Sequence, residues 1–257
     1  MKRPEIRIFD ALSERVSKDA RIQSVSVGIF WTFVQTQYGC AISATAHRWR
    51  DDPPGALIPF AGSLQGMPVS ALFSLYDSPS LTARSLANAA VSASFPASQM
   101  TGQKYPGKAQ TLLESLCKAT PRHIALIGHF HFADELRAFG HKLDIFELDG
   151  RCKPGDIPSS QIPDYLPDAD IVVMTSSTIL THATEQILDA CRPGAFKMIV
   201  GPTVPLHPIL WDYGFDAIGG SIITDPDQVC RTAREGGNHK QMTGCEKLNY
   251  LREICNL

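Results

Sequence analysis

The residues best suited to chemistry in this chain are histidines that follow short apolar runs. Four of the eight, His129, His131, His182 and His207, fall on loops or helix starts immediately after such runs. Neutral imidazole is a good ligand for Zn, Ni, Cu or Fe. If these four converge on one crevice they form a transition-metal site of unspecified metal, and Glu147 or Cys152 can add a donor. No short signature such as H-E-x-x-H is present, so convergence depends wholly on the fold. The same imidazoles can instead act in a cleft by hydrogen bonding or proton transfer. His129 and His131 are two residues apart and face one way only where the chain is extended.

Glu147 lies 19 residues after Gly128, close to the spacing of a ribose-binding acid in a dinucleotide fold. The glycine fingerprint is missing. His129, Phe130, His131 and Phe132 follow Gly128, and their rings would block a pyrophosphate, so NAD is not expected. The run Thr175-Ser176-Ser177-Thr178 sets four hydroxyls at a strand end. It can cap a helix and offer backbone N–H groups to an anion. No G-x-S-x-G elbow surrounds these serines. Gly201-Pro202-Thr203-Val204-Pro205 reads as a rigid loop that shapes a ligand site. In the first half, Trp31 and Asn88 stand out, Asn88 because an amide among small helical residues must find partners.

The elements that must position these residues fall into two halves. An amphipathic helix carrying Ile6, Phe9, Leu12 and Val16 opens the chain. It is followed by a strand over residues 22–37, a Tyr38-Gly39 turn and a returning strand, CAISATAH. A Pro/Gly-rich loop, RWRDDPPGALIPFAG, leads to a helix through VSALFSLY and to the Ala-rich helix LTARSLANAAVSAS. The polar segment at residues 97–108 is the domain-boundary candidate. Beyond it, HIALIGHF, KLDIFEL, DADIVVMT, FKMIVGP and AIGGSII are apolar runs that alternate with helical stretches. That rhythm argues for a doubly wound parallel sheet, whose ligand crevice lies outside the carboxyl ends of its strands. The last 20 residues read as a tail or a final helix.

Composition narrows the function class. The 257 residues carry 24 basic and 26 acidic side chains, with 44% hydrophobic and 19% charged residues. With a pI near 6.4, no basic excess is available for a phosphate backbone, and nucleic acid is not an expected partner. Mean hydropathy is −0.07, no apolar run reaches about 18 residues, and no membrane partner is expected. Seven cysteines without a C-x-x-C pair read as thiols of a reducing compartment. No signal-peptide core is visible at the N-terminus, so the chain is expected to be cytoplasmic. The composition is compatible with a homo-oligomer.

The motifs resemble a known family. ALIGHF, the acid Glu147, LPDADIVVMTSST, IVGPTVPLHPIL and DAIGGSIITD together look like a heavy-metal-chelation domain of unknown function. VSVGIFWTFVQT, YGCAISAT and LTARSLANAAVSASF look like the domain that precedes it. The resemblance implies an α/β architecture, with an enolase-N-terminal-like α+β domain at residues 1–107 and a Rossmann-like domain at 108–257. It also implies a site in the cleft between them for a heavy metal or a metal-bearing ligand. The family's positions fall on Asn88, Gly128, His129, Phe130, Glu147, Thr175, Gly201, Pro202, Thr203 and Pro205. Two departures matter. His131 stands where relatives have Pro, and Ser176-Ser177 with Thr181-His182 replace a Gly-Thr and a later Asn.

Three readings follow. The first is a cytoplasmic cleft protein binding a heavy-metal ion, a metal chelate or a small anionic ligand. The ligand contacts would come from Trp31, Asn88, Gly128, Phe130, Thr175, Ser176, Ser177, Thr178, Gly201, Pro202 and Thr203, with the four histidines as metal ligands. The second is an enzyme acting on a small anionic metabolite, with Glu147 and His129 as acid–base groups. The third is a protein that binds an adenine nucleotide without the glycine fingerprint.

Overall fold

The computed structural model describes residues 4–46, 57–117 and 120–253. The first part of the loop expected at 48–62, and Cys255, lie outside the described residues. The N-terminal half starts with helix α1 (Ile8–Ser13) and a three-stranded antiparallel meander. Its strands are β1 (Ile22–Val27), β2 (Trp31–Thr36) and β3 (Cys40–Ala44). The single strand expected over 22–37 is therefore two. Gly28-Ile29-Phe30 makes a tight turn in which the Gly28 N–H donates to the Trp31 carbonyl at 2.9 Å. A Cβ at Gly28 would collide with the Ala233 carbonyl, so only glycine lets the turn sit against that helix. The apolar residues on both sides hide the turn in the sequence.

The helix expected through VSALFSLY is present as a 3-10 helix, Val69–Asp77, with Pro68 at its N-cap. The Ala-rich stretch is α2 (Leu81–Ser92), as expected, and the Ser80 hydroxyl caps it by accepting from Ala83 N. Small residues let α2 lie close against the meander. Ala83, Leu86, Ala87, Ala89 and Ala90 are completely buried.

The second half is an eight-stranded sheet in the order β4-β11-β10-β9-β8-β5-β6-β7. Its parallel part comprises β5 (His123–Ile127), β6 (Lys142–Glu147), β7 (Ile157–Pro158), β8 (Ile171–Thr175), β9 (Phe196–Val200) and β10 (Ala217–Ile223). The five apolar runs are all strands of this sheet. Two antiparallel strands extend it: β11 (Cys245–Leu251) on β10 and β4 (Gln103–Pro106) on β11. The expected tail or helix is thus partly a strand. Its polar start, Glu246-Lys247, is exposed, while Asn249, Tyr250 and Leu251 are buried. The polar segment at 97–108 contributes β4.

Helices α3 (Ala109–Cys117), α4 (Ala133–Ala138), α5 (Ile162–Tyr165), α6 (Thr184–Ala190) and α7 (Pro226–Arg234) complete the half. Alternate residues of the central strands feed two cores, as period-2 geometry requires. Ala125, Ile127, Val172, Met174 and Ile199 join α1, α2, α5 and α6. Ile124, Leu126, Ile171, Val173 and Met198 join α3 and α4. Both faces are covered, which explains runs without apolar–polar alternation. One of these cores holds residues of both halves, so the N-terminal unit packs directly on the sheet.

Candidate functional site

β5 leads to β6 and β7 on one side, and β8 lies on the other. A ligand crevice is expected at such a switch point, outside the carboxyl ends of the strands. Here the meander leans over that edge and makes a two-lobed cleft. One lobe, of about 460 Å³, lies between Phe30, Trp31 and Thr45 of the meander and Arg151, Thr175, Ser177 and Thr203 of the sheet's loops. The other, of about 300 Å³, is bounded by Phe130, His131, Phe132, Val200, Met242 and Cys245, with Lys108 and Lys247. Trp31, Thr175, Pro202 and His239 line both lobes. The Trp31 indole N–H is buried without a hydrogen-bond partner among the described residues.

A hydrogen-bonded brace fixes the loop that forms the cleft floor. Thr203 Oγ1 accepts from Ala44 N at 2.9 Å, its carbonyl accepts from Asn88 Nδ2 at 2.9 Å, and its N–H donates to Ser176 Oγ at 3.2 Å. Asn88, Ser176 and Thr203 are each 1% exposed. Gly201 has φ of 142°, a conformation side chains rarely adopt, and a Cβ there would run into Ser176 Oγ. Asn88 therefore holds the loop from behind and does not line the cleft.

The four hydroxyls at the end of β8 divide their work. Thr175 ends β8 and caps the 3-10 turn Ser176–Thr178, and α6 starts only at Thr184, so the run does not open a regular helix. The Ser176 hydroxyl is spent on Thr203. The Thr178 hydroxyl donates to the Thr175 carbonyl at 2.9 Å and accepts from Thr184 Oγ1 at 2.8 Å. Thr175 and Ser177 face the cleft. Gly128 has φ of 97° and lies against Thr175, where an added Cβ would come within 3.0 Å of the Thr175 methyl.

The histidines do not assemble. His129 lies between two carboxylates, Nδ1 at 3.0 Å from Glu147 and Nε2 at 3.1 Å from Asp156, and neither His129 nor Glu147 lines either lobe. Asp156 also accepts from Lys153 N at 2.6 Å. These contacts close the loop after β6, which carries Arg151 to the cleft. Cys152, on the same loop, points its thiol at the Glu147 and Leu148 carbonyls at 3.6 and 3.7 Å. Burial and the neighbouring Asp156, Asp149 and Glu147 charges push that thiol up, against thiolate formation.

His182 packs on the Tyr76 ring and donates from Nε2 to the Tyr76 carbonyl at 3.0 Å. Its φ is 58°, a left-handed position that suits Asn and tolerates His. His207 accepts from Ile209 N at 3.1 Å and packs on Phe95. Burial pushes both imidazoles below the usual histidine range. Only His131 of the four lines the cleft.

His239, on the loop after α7, joins it there. Burial, then Lys240, Lys247 and His131, push its imidazole down. His239, Arg151 and Lys108 were not singled out in the sequence; they sit on polar loops that no motif marks.

Among the described residues, no group of three or more His, Cys, Asp or Glu side chains is placed to hold a metal ion. The donors present do not fit a bare ion chelated by the protein alone. The lining has a different character. Arg151, Lys108 and Lys247 are cationic, His131 and His239 are imidazoles, and no described lining residue is a carboxylate.

Two family models match the chain, both described as "Putative heavy-metal chelation". DUF4213 spans residues 9–95, and DUF364 spans residues 111–252, more than half of the chain. The chain belongs to the DUF364 family. Two solved structures of DUF364 proteins of unknown function share its fold. One is from Desulfitobacterium hafniense, at 18% identity, and the other from Pyrococcus horikoshii, at 16%. In each case the match covers 95% of this chain and 98% of the other, with a TM-score of 0.78. No curated protein matches the sequence. No described helix is long and apolar enough to cross a membrane.

Proposed function

We propose that this DUF364 protein binds a small anionic organic ligand in the cleft between its two halves, and that any metal enters already chelated by that ligand. The observation that carries the reading is the lining: three cations and two imidazoles with no carboxylate among its described residues. A bare metal cation is repelled by such a wall, whereas an anion or an anionic chelate is attracted. Thr45, Thr175 and Ser177 add polar side chains from both halves. The size range and mixed polarity suit a small-molecule site. The six described cysteines are unpaired, in keeping with a reducing cytoplasm.

An enzyme using Glu147 and His129 for acid–base work is the second reading, favoured by their 3.0 Å contact. It is the weaker one, because both groups are engaged with each other outside the lining. Thermal-shift titration with citrate and phosphate tests the first reading. Stabilisation by either anion that is lost in Arg151→Gln supports it. Equal shifts in the two proteins, or none, refute it.

A further inference from the structure

We propose that the ligand is an elongated organic dianion: one acid group sits in the lobe of Arg151, a flat apolar body crosses Trp31, and a second acid group meets Lys108 and Lys247. This deepens the reading of the cleft as an anion site and rests on it. The two lobes differ in chemistry. The larger adds the hydroxyl groups of Thr175 and Ser177 to Arg151, which suits a compact anionic group. The smaller is walled by Phe130, Phe132, Val200 and Met242, which suits an apolar body. Its cations, Lys108 and Lys247, belong to that lobe alone, as Arg151 belongs to the other. One anion cannot use both sets unless its charges are spread along its length.

Trp31 is the shared wall. Its ring borders both lobes, and its buried indole N–H has no partner among the described residues. A purely polar metabolite leaves the aromatic lobe unfilled. An uncharged aromatic compound leaves the cations unmatched.

The test is a calorimetric comparison of three probes: citrate, naphthalene-2-carboxylate and biphenyl-4,4′-dicarboxylate. The dicarboxylate is expected to bind about tenfold tighter than the monocarboxylate, the gain of one charge-assisted contact. Lys108→Gln combined with Lys247→Gln removes that gain, bringing the dicarboxylate to the level of the monocarboxylate, and weakens citrate by less than it weakens the dicarboxylate. Arg151→Gln weakens all three probes. Trp31→Ala weakens the two aromatic probes by more than it weakens citrate.

Arg151-dependent citrate binding with no gain for the dicarboxylate overturns this inference and leaves the anion reading standing. A gain that survives loss of both lysines also overturns it. Failure of all three probes to bind overturns both. Circular dichroism on each variant separates lost binding from lost folding.

Discussion

Asn88→Ala tests whether the brace behind the cleft loop is structural. Asn88 is 1% exposed and donates to the Thr203 carbonyl at 2.9 Å. Its other contact, to Ser43 Oγ, is at the 3.5 Å limit and adds little. Truncation leaves the Thr203 carbonyl buried without this donor, at a cost of roughly 1–3 kcal/mol. The higher helix propensity of alanine returns about 0.5 kcal/mol. The net loss is about 1.5 kcal/mol, or about 3–6 °C in melting temperature for a chain of this size. Asn88→Asp is expected to cost more than Asn88→Ala, because it sets a buried carboxylate against a carbonyl, acceptor to acceptor. Urea unfolding followed by circular dichroism gives the numbers, with a shifted midpoint and an unchanged slope. An Asn88→Ala midpoint equal to wild type, or Asn88→Asp more stable than Asn88→Ala, would refute the brace.

Other perturbations follow from the same geometry. His129→Ala should weaken citrate binding roughly three- to tenfold, and adding it to Arg151→Gln should cause little further loss. A full, additive loss in the double variant would show that His129 does not act through the loop carrying Arg151. Gly201→Ala, with its Cβ against Ser176 Oγ at a φ of 142°, should destabilise the chain by about 1–3 kcal/mol from backbone strain alone. A wild-type melting curve would contradict it. Burial depresses His141, His182 and His207 below their ordinary 6.5. The unfolded chain therefore takes up protons first. Between about pH 5 and 8 these histidines make stability flat near pH 7–8 and let it fall as pH drops through 6.5 toward the folded-state values. His182→Asn, which suits the left-handed backbone, should flatten that slope at acid pH. An unchanged slope would remove His182 from the account.

The parallel sheet was legible because buried strands announce themselves as apolar runs, and DADIVVMT and FKMIVGP had no other plausible fate. The cleft edge was legible through Thr175, Pro202 and Thr203, since strand ends with small or polar residues mark the switch point of such a sheet. The turn at Gly28 was not legible, because its reason is the approach of α7, more than 200 residues away in sequence. β11 was hidden by its polar first half, which faces the cleft mouth. The four histidines misled for a similar reason. Position after a strand does not say where a ring points, and His182 and His207 turn away from the cleft to pack on Tyr76 and Phe95 of the N-terminal half. His239 and Lys108 became visible only when the fold brought a loop after α7 and the start of α3 to one wall.

The central claim is that the cleft takes anions and receives metal only in chelated form. The most direct measurement is a pair of calorimetric titrations in a non-coordinating buffer, one with zinc chloride alone and one with zinc citrate at excess citrate. The account predicts binding of citrate and of the zinc–citrate anion that weakens together in Arg151→Gln, and no cleft-dependent binding of zinc alone. Tight, stoichiometric binding of free zinc that is abolished by His131→Ala and His239→Ala, with citrate inert, would contradict it.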